Sequence, residues 1–198
     1  NKENSARIAL YIRNFARLKG NIAVYFPSYQ ILDTYAQMLS DALASRNLII
    51  EPKDARDAGE ALRTFLSLPS RGKYGILFAV AGGKWSEGLD YRGELLSGAM
   101  VIGLPLAPFN QVRRMTIDYF RHKFGNEGEF ISYTLPALNR AQQAIGRVLR
   151  TPEDRGILIF GERRFLETRV RNGLPGWIRE ELVECTAESF GEAMKRWK

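Results

Sequence analysis

Cysteine is almost absent from this chain of 198 residues, in which Cys185 is the single one. One cysteine excludes an internal disulfide and cannot by itself hold a structural metal. Long apolar runs are also absent, because charges or glycines interrupt each stretch before the roughly 20 residues that a membrane span needs. The sequence starts at Asn1 with neither a methionine nor a signal-peptide pattern, which predicts an internal fragment of a longer protein. Length and composition predict one soluble globular domain over residues 1–198.

Positive charge exceeds negative charge, with a formal net charge of +7 and a sequence pI of about 9.7. Between residues 139 and 171, eight arginines stand against four acidic residues, a net +4. This excess favours an anionic partner, either nucleic acid or phosphate. Charge alone leaves open the alternative that the stretch is only a solvated basic face.

Apolar residues alternate along the chain between strand spacing and helical spacing. The predicted strands cover residues 21–26, 48–50, 74–81, 100–104, 130–133 and 156–160. The predicted helices cover residues 5–18, 28–43 with Ser28 as cap, 54–68, 109–124, 135–150, 177–182 and 188–197. Strands separated by helices of this length predict an α/β domain with a mostly parallel central sheet and helices on both faces. Ligands of such sheets bind at the carboxyl ends of strands, here after Phe26 and Ala81.

The sharpest motif is the segment 143–150 (QAIGRVLR). On a predicted helix, Gln143, Arg147 and Arg150 project from one face, because they are four and three residues apart. Gly146 in mid-helix costs about 1 kcal/mol relative to alanine, which suggests that something approaches the backbone there. Arginines on such a face can stabilise the charge that develops on a transferred phosphoryl group. A solvent-facing basic stripe is the alternative.

A glycine-rich loop at residues 82–90 (GGKWSEGLD) follows the apolar segment 74–81 directly. Glycines let a backbone come close to a phosphate or a ribose, and Asp90 can accept a hydrogen bond from a ribose hydroxyl or lie near a metal. Alone, this loop fits a simple turn equally well.

Together and in this order, the two segments resemble motifs V and VI of superfamily 2 helicases, in the form typical of the XPD/Rad3 family, which includes the bacterial DinG proteins. Other segments are similar to this family in the same order: residues 21–29, Glu51, and residues 154–157, 162–165 and 174–178. The resemblance implies the second RecA-like motor domain of an ATP-dependent 5′–3′ DNA helicase, with excision repair as the family's usual pathway.

The resemblance implies a role for each residue that matches the family's motifs at the nucleotide. Gly88 and Asp90 would face the nucleotide, and Gln143 would face the γ-phosphate. Arg147 and Arg150 would be the catalytic arginine fingers, and such fingers contribute roughly 10³ to 10⁵ in rate.

The resemblance also implies contacts with single-stranded DNA from two segments. The implied contacts are Ser28, Tyr29, Lys84, Trp85 and Ser86. Hydroxyls and a lysine suit phosphate groups, whereas Tyr29 or Trp85 can instead stack on a base. Core packing is the alternative for these two rings.

The sequence departs from the whole helicase pattern in three ways: it has no G-x-x-x-x-G-K-[ST] loop, no acidic box for magnesium and no set of four iron–sulfur cysteines. In the family these features belong to the first motor domain and its insertions. ATP and Mg²⁺ are therefore expected to bind mainly there, the iron–sulfur cluster only there, and no metal in this chain, which alone should not hydrolyse ATP. Expected partners are single-stranded DNA, the first motor domain of the same protein and DNA-repair proteins, and no association with a membrane is expected.

Arg164 is expected to form a structural ion pair.

Two other functions compete with the helicase interpretation. A non-catalytic nucleic-acid-binding module would use the same arginine-rich face but would give Asp90 no role. A dinucleotide-binding enzyme is disfavoured because no G-x-G-x-x-G follows the first strand. The compact tail after Trp177 favours an archaeal or bacterial source, hence the cytoplasm or nucleoid, with the nucleus as the location of a eukaryotic relative.

Overall fold

The most apolar segments of the chain form the strands of a single sheet. A computed structural model describes residues 2–87, 96–149 and 154–196, with the backbone alone described at 55–58, 87 and 196. The strands pair in parallel in the order β2-β3-β1-β4-β5, and the register sets Ile22 opposite both Ile76 and Gly98. Their bounds are β1 Ile22–Phe26, β2 Leu48–Ile50, β3 Ile76–Val80, β4 Gly98–Val101 and β5 Ile157–Phe160.

Helices connect the strands and cover the sheet. Ser28 caps the second helix by accepting the backbone N–H of Ile31, as the sequence predicts. The helices are α1 Lys2–Phe15, α2 Tyr29–Leu43, α3 Ala55–Ser67, α4 Lys84–Glu87, α5 Gln111–Phe124, α6 Leu135–Ile145, α7 Thr168–Asn172, α8 Gly176–Glu181 and α9 Ala187–Arg196.

Successive residues of the strands face opposite layers of the domain. In β1, Val24 and Phe26 pack with α1, α2 and α9, whereas Ala23 and Tyr25 pack with α3 and α6. All residues of β1, β3 and β4 are buried, as central strands of a parallel sheet are when helices cover both faces. The predicted α/β architecture is therefore confirmed.

The strand predicted at residues 130–133 is wrong. Phe130–Thr134 is a π-helical turn that leads directly into α6. The segment is aromatic and β-branched, but such residues favour a strand only where a neighbouring strand is there to pair with. In the helical conformation Phe130 packs against the core, and the hydroxyl of Tyr133 donates to the carbonyl of Ala107 at 3.0 Å.

The helix predicted to reach residue 150 ends at Ile145. Gly146 is its C-terminal cap rather than a mid-helix glycine, and its N–H donates to the carbonyl of Gln142 at 2.8 Å. A Cβ at Gly146 would lie 2.9 Å from that same carbonyl oxygen, so the chain itself approaches this glycine closely. Arg147 therefore lies just beyond the helix, one residue after the cap, rather than on it.

The predicted strand after the glycine-rich loop and two short helices also differ from the sequence predictions. The strand predicted at residues 100–104 is shifted towards the N-terminus, because Gly103 has a φ of +79° and ends the extended segment before Pro105. The loop after β3 contains the single helical turn α4, and the short helix α7 is one that the sequence pattern missed.

Candidate functional site

The carboxyl ends of three neighbouring strands bring the candidate site together. Because β2, β3 and β1 are adjacent and parallel, the segments that follow them meet at one edge of the sheet. Ser28 and Tyr29 follow β1, Glu51 follows β2, and the segment 82–87 follows β3. We refer to this part of the sheet as the carboxyl edge.

Glu51 lies at the centre of the carboxyl edge and is 2% exposed. Its Oε2 accepts the backbone N–H of Val80 at 2.7 Å, and its Oε1 accepts the backbone N–H of Trp85 at 3.3 Å. The hydroxyl of Tyr29 donates to Oε1 at 3.2 Å. A Cβ at Gly83 would lie 2.8 Å from Oε1, so only glycine fits beside this carboxylate.

Glu51 connects three segments, although its sequence context predicted no role for it beyond a motif match. The signal that was available is its position, since it is an acidic residue placed directly after the apolar strand β2. A carboxylate buried there requires several hydrogen-bond donors from neighbouring segments, because a charge that is not so compensated is costly to bury.

The environment of Tyr29 keeps its hydroxyl protonated. Burial and then the negative charge of Glu51 raise the pKa of Tyr29 to about 12. The phenol therefore keeps its proton well into the alkaline range and donates it to the carboxylate, while the ring remains half-buried.

The side chain of Ser86 closes the turn that follows β3 through two hydrogen bonds. The Oγ of Ser86 accepts the backbone N–H of Gly82 at 2.7 Å and donates to the carbonyl of Gly83 at 3.0 Å. Ser86 is 1% exposed, so its side chain serves the turn and is not open to DNA in this conformation.

Trp85 is 1% exposed and packs within the core layer that contains α6. A base can stack only on a ring with an open face, so this indole is not placed to stack on DNA. The core-packing alternative describes its position, and its backbone N–H, held by Glu51, is the group that takes part in the site.

Two of the predicted DNA contacts are accessible beside Tyr29. Ser28 is half-buried, and its Oγ accepts the N–H of Ile31 at 3.4 Å. Lys84 is exposed, and its ammonium group donates to the carbonyl of Lys53 at 3.2 Å. Lys53 in turn forms an ion pair with Asp33 at 2.7 Å.

Arg147 brings the arginine motif against the loop after β3. Its Nη2 donates to the carbonyl of Ser86 at 3.1 Å. Gln143 lies in the last turn of α6 and is exposed. The predicted site residues Gly88, Asp90 and Arg150 lie outside the described residues.

A second carboxylate accepts a backbone N–H on the opposite side of the sheet, where β4 and β5 end. Glu162, which follows β5, accepts the backbone N–H of Leu104 through Oε2 at 2.5 Å. Arg164 forms an ion pair with Glu162, with Nη2 donating to Oε2 at 2.8 Å. The hydrogen bond with Glu162 raises the pKa of Arg164, and the predicted structural ion pair is confirmed.

Within residues 2–87, 96–149 and 154–196, no three His, Cys, Asp or Glu side chains lie together as metal ligands would. Among the described helices, none combines the length and the apolar character needed to cross a membrane.

Comparison with known proteins gives one consistent family. Residues 12–181 match the family model described as the helicase C-terminal domain. The general transcription and DNA repair factor IIH helicase subunit XPD/RAD3 of Saccharomyces cerevisiae is 31% identical over 172 residues, covering 83% of this chain and 22% of the yeast protein. Subunit XPD of Dictyostelium discoideum is 30% identical over 178 residues, covering 86% of this chain and 23% of that protein.

The fold agrees with this family. A solved structure of an XPD helicase has a TM-score of 0.64 at 25% identity and covers 85% of this chain and 29% of that one. The domain therefore has the RecA-like fold of the XPD helicases. The chain spans 22–23% of the length of the yeast and Dictyostelium relatives. Both are eukaryotic proteins, and they do not support the archaeal or bacterial source that the sequence favoured.

Proposed function

Because this chain belongs to the family of helicase C-terminal domains, we propose that it is the second motor half of an ATP-dependent 5′–3′ DNA helicase. In that role it contributes arginine fingers to ATP hydrolysis and a face for translocation along single-stranded DNA. The polarity rests on the resemblance to the XPD/Rad3 family. A role in DNA repair is supported by the names of the yeast and Dictyostelium relatives, which are DNA repair factor subunits.

One contact carries this proposal: the hydrogen bond from Arg147 to the carbonyl of Ser86. It joins the two segments that resemble motifs V and VI at the carboxyl edge, where ligands of parallel sheets bind. A motor built from two such domains holds ATP in the cleft between them and moves when the cleft closes. An arginine at the rim of this edge is suited to reach across such a cleft.

At the nucleotide, the proposed roles are those of a domain that completes a site. Gln143 would bind the γ-phosphate region, Gly88 and Asp90 would face the nucleotide, and Arg147 and Arg150 would stabilise the transferred phosphoryl group.

Most groups that bind ATP and Mg²⁺ would come from the first motor domain, because this chain has neither the phosphate loop nor the acidic box. With one cysteine, the chain does not fit an iron–sulfur cluster, which needs four thiolates.

The proposed DNA face consists of Ser28, Tyr29 and Lys84. The Oγ of Ser28 accepts a backbone N–H, so its hydroxyl proton can still be donated to a phosphate oxygen. The N-terminus of α2 adds a dipole that favours an anion beside it. Lys84 supplies a cation, and the half-buried ring of Tyr29 offers a surface for a base.

The test is Arg147→Ala in the full-length helicase. DNA-stimulated ATP hydrolysis should fall by about 10³-fold or more, which corresponds to roughly 4 kcal/mol of transition-state stabilisation. The affinity for single-stranded DNA should stay almost unchanged, because a finger acts on the transition state and not on the bound ground state. Arg150→Ala should act in the same direction, and the two changes together should be far from additive.

Arg71→Ala is the matched control, because Arg71 is an exposed arginine that precedes β3 and so lies at the opposite edge of the sheet. It removes the same charge and should leave hydrolysis unaltered. If Arg147→Ala instead weakens DNA binding and keeps its turnover at saturating DNA, the arginine segment belongs to a nucleic-acid-binding module, the alternative function.

A further inference from the structure

The side chain of Glu51 accepts hydrogen bonds from groups at the ends of two other strands of the carboxyl edge. Tyr29 reaches it from the end of β1, and the N–H groups of Val80 and Trp85 reach it from the end of β3. Its own backbone N–H donates to the carbonyl of Phe78 at 2.8 Å, so the residue is itself fixed to β3. Hydrogen bonds to a charged acceptor are about twice as strong as neutral ones.

These bonds fix the spacing between two members of the proposed DNA face. The N–H held by Oε1 belongs to Trp85, the residue directly after Lys84. The same oxygen accepts the hydroxyl of Tyr29. One buried atom therefore sets the position of an aromatic ring relative to the backbone that carries a lysine.

We propose that Glu51 is a positioning residue for single-stranded DNA, which fixes the ring of Tyr29 relative to the backbone that carries Lys84. This inference rests on the proposed DNA face. Glu51 need not touch DNA, because it is 2% exposed and acts through the residues that it holds.

Electrostatics alone predicts the opposite effect of losing this charge. A carboxylate close to Tyr29 repels DNA phosphates, so Glu51→Gln should strengthen binding if charge were its whole contribution. Positioning predicts weaker binding. Glutamine has the shape of glutamate but only one acceptor oxygen, so its NH₂ group would face either the N–H of Val80 or that of Trp85, donor against donor.

The experiment measures binding of a labelled oligothymidylate to this chain at low salt by fluorescence anisotropy. Glu51→Gln should weaken binding about fivefold to tenfold, the equivalent of the net free energy of about one ordinary hydrogen bond. Tyr29→Phe, which removes only the hydroxyl, should weaken it in the same direction by less. The double variant should be little weaker than Glu51→Gln alone, because both changes remove the same contact.

Glu162→Gln is the matched control for stability. It also changes a carboxylate that holds a backbone N–H at a strand end, but it touches neither Tyr29 nor the loop after β3. It should lower the unfolding midpoint without weakening DNA binding. If Glu162→Gln weakens binding as much as Glu51→Gln does, the effect is general loss of structure and the positioning role is overturned.

The remaining outcomes separate this inference from the proposed function. If the unmodified chain does not bind the oligonucleotide, the DNA face is wrong and the inference falls with it. If the unmodified chain binds and Glu51→Gln binds equally well or more tightly, the DNA face stands and the positioning role of Glu51 alone is refuted.

Discussion

Two carboxylates accept backbone N–H groups at the carboxyl ends of the strands, one beside each outer strand of the sheet. They differ in the groups that surround them. Glu51 follows β2 and accepts the N–H of Val80 at the end of β3, while Glu162 follows β5 and accepts the N–H of Leu104 beyond β4. In both places a side chain supplies an acceptor where the strand ladder has just ended. Backbone groups buried at such an end need a partner, which both carboxylates provide.

The difference lies in what balances each charge. Glu162 is paired with the guanidinium of Arg164 two residues away, so it forms a clamp within one segment. Glu51 is more deeply buried and is balanced by backbone N–H groups and the phenol of Tyr29 from other segments. The Glu162 end is thus fixed locally, whereas the Glu51 end depends on several segments keeping their relative positions.

The largest expected contrast is in stability. Glu51→Ala would leave the N–H groups of Val80 and Trp85 buried without this acceptor, at about 1–3 kcal/mol each, so the free energy of unfolding should fall by about 3 kcal/mol. Glu162→Ala leaves one such N–H and a partly exposed arginine that water can reach, so a loss of about 1–2 kcal/mol is expected. Urea unfolding of both variants measures the difference, and an equal loss would show that the two ends are equivalent.

A smaller contrast is expected at the glycines beside the two carboxylates. A Cβ at Gly83 would lie 2.8 Å from both Glu51 Oε1 and the carbonyl oxygen of Val80, and a backbone carbonyl cannot simply move aside. Gly83→Ala should therefore cost about 2 kcal/mol through overpacking. At Gly103 the added atom would lie 3.6 Å from Glu162, and the cost is mainly the φ of +79°, about 1 kcal/mol. Thermal unfolding ranks the two variants, and the reverse order would contradict the tighter packing at the Glu51 end.

The features that the sequence predicts correctly are those that depend on residues close to one another in the chain. The buried strands β1 and β3 follow from their apolar runs, and the cap at Ser28 follows from its position before a helical pattern. These features depend on residues that are near one another in the chain. The structural ion pair predicted for Arg164 is also local, because its partner Glu162 lies two residues away.

The features that the sequence did not predict depend on contacts between distant residues. The bonds that Glu51 accepts from Val80 and Trp85 join residues 29 and 34 positions apart, which no local pattern records. Trp85 matched a motif whose members contact DNA in the family, but its burial depends on α6, which lies far along the sequence. The early end of α6 is the exception, because its cap at Gly146 is a local contact with the carbonyl of Gln142.

The smallest expected contrast is in stability at alkaline pH, because Tyr29 titrates there and contacts Glu51 but not Glu162. In the folded chain the pKa of Tyr29 is raised to about 12, above the value of about 10 for an unfolded tyrosine. The folded state thus holds the phenolic proton more tightly, and this stabilisation is present in full below pH 10 and is lost as the pH rises towards 12. The pKa values of Tyr11 and Tyr35 are also raised, mainly by burial, so the unmodified chain alone does not isolate the effect.

The informative quantity is the difference in unfolding free energy between the unmodified chain and Tyr29→Phe, measured by urea at several pH values from 9 upwards. This difference should be constant up to about pH 10 and should shrink above it, because only the unmodified chain has the phenol to ionise beside Glu51. Glu162→Gln should lose stability in parallel with the unmodified chain over the same range, since that end does not hold Tyr29. Parallel curves for Tyr29→Phe and the unmodified chain would show that the phenol and the carboxylate of Glu51 are not coupled.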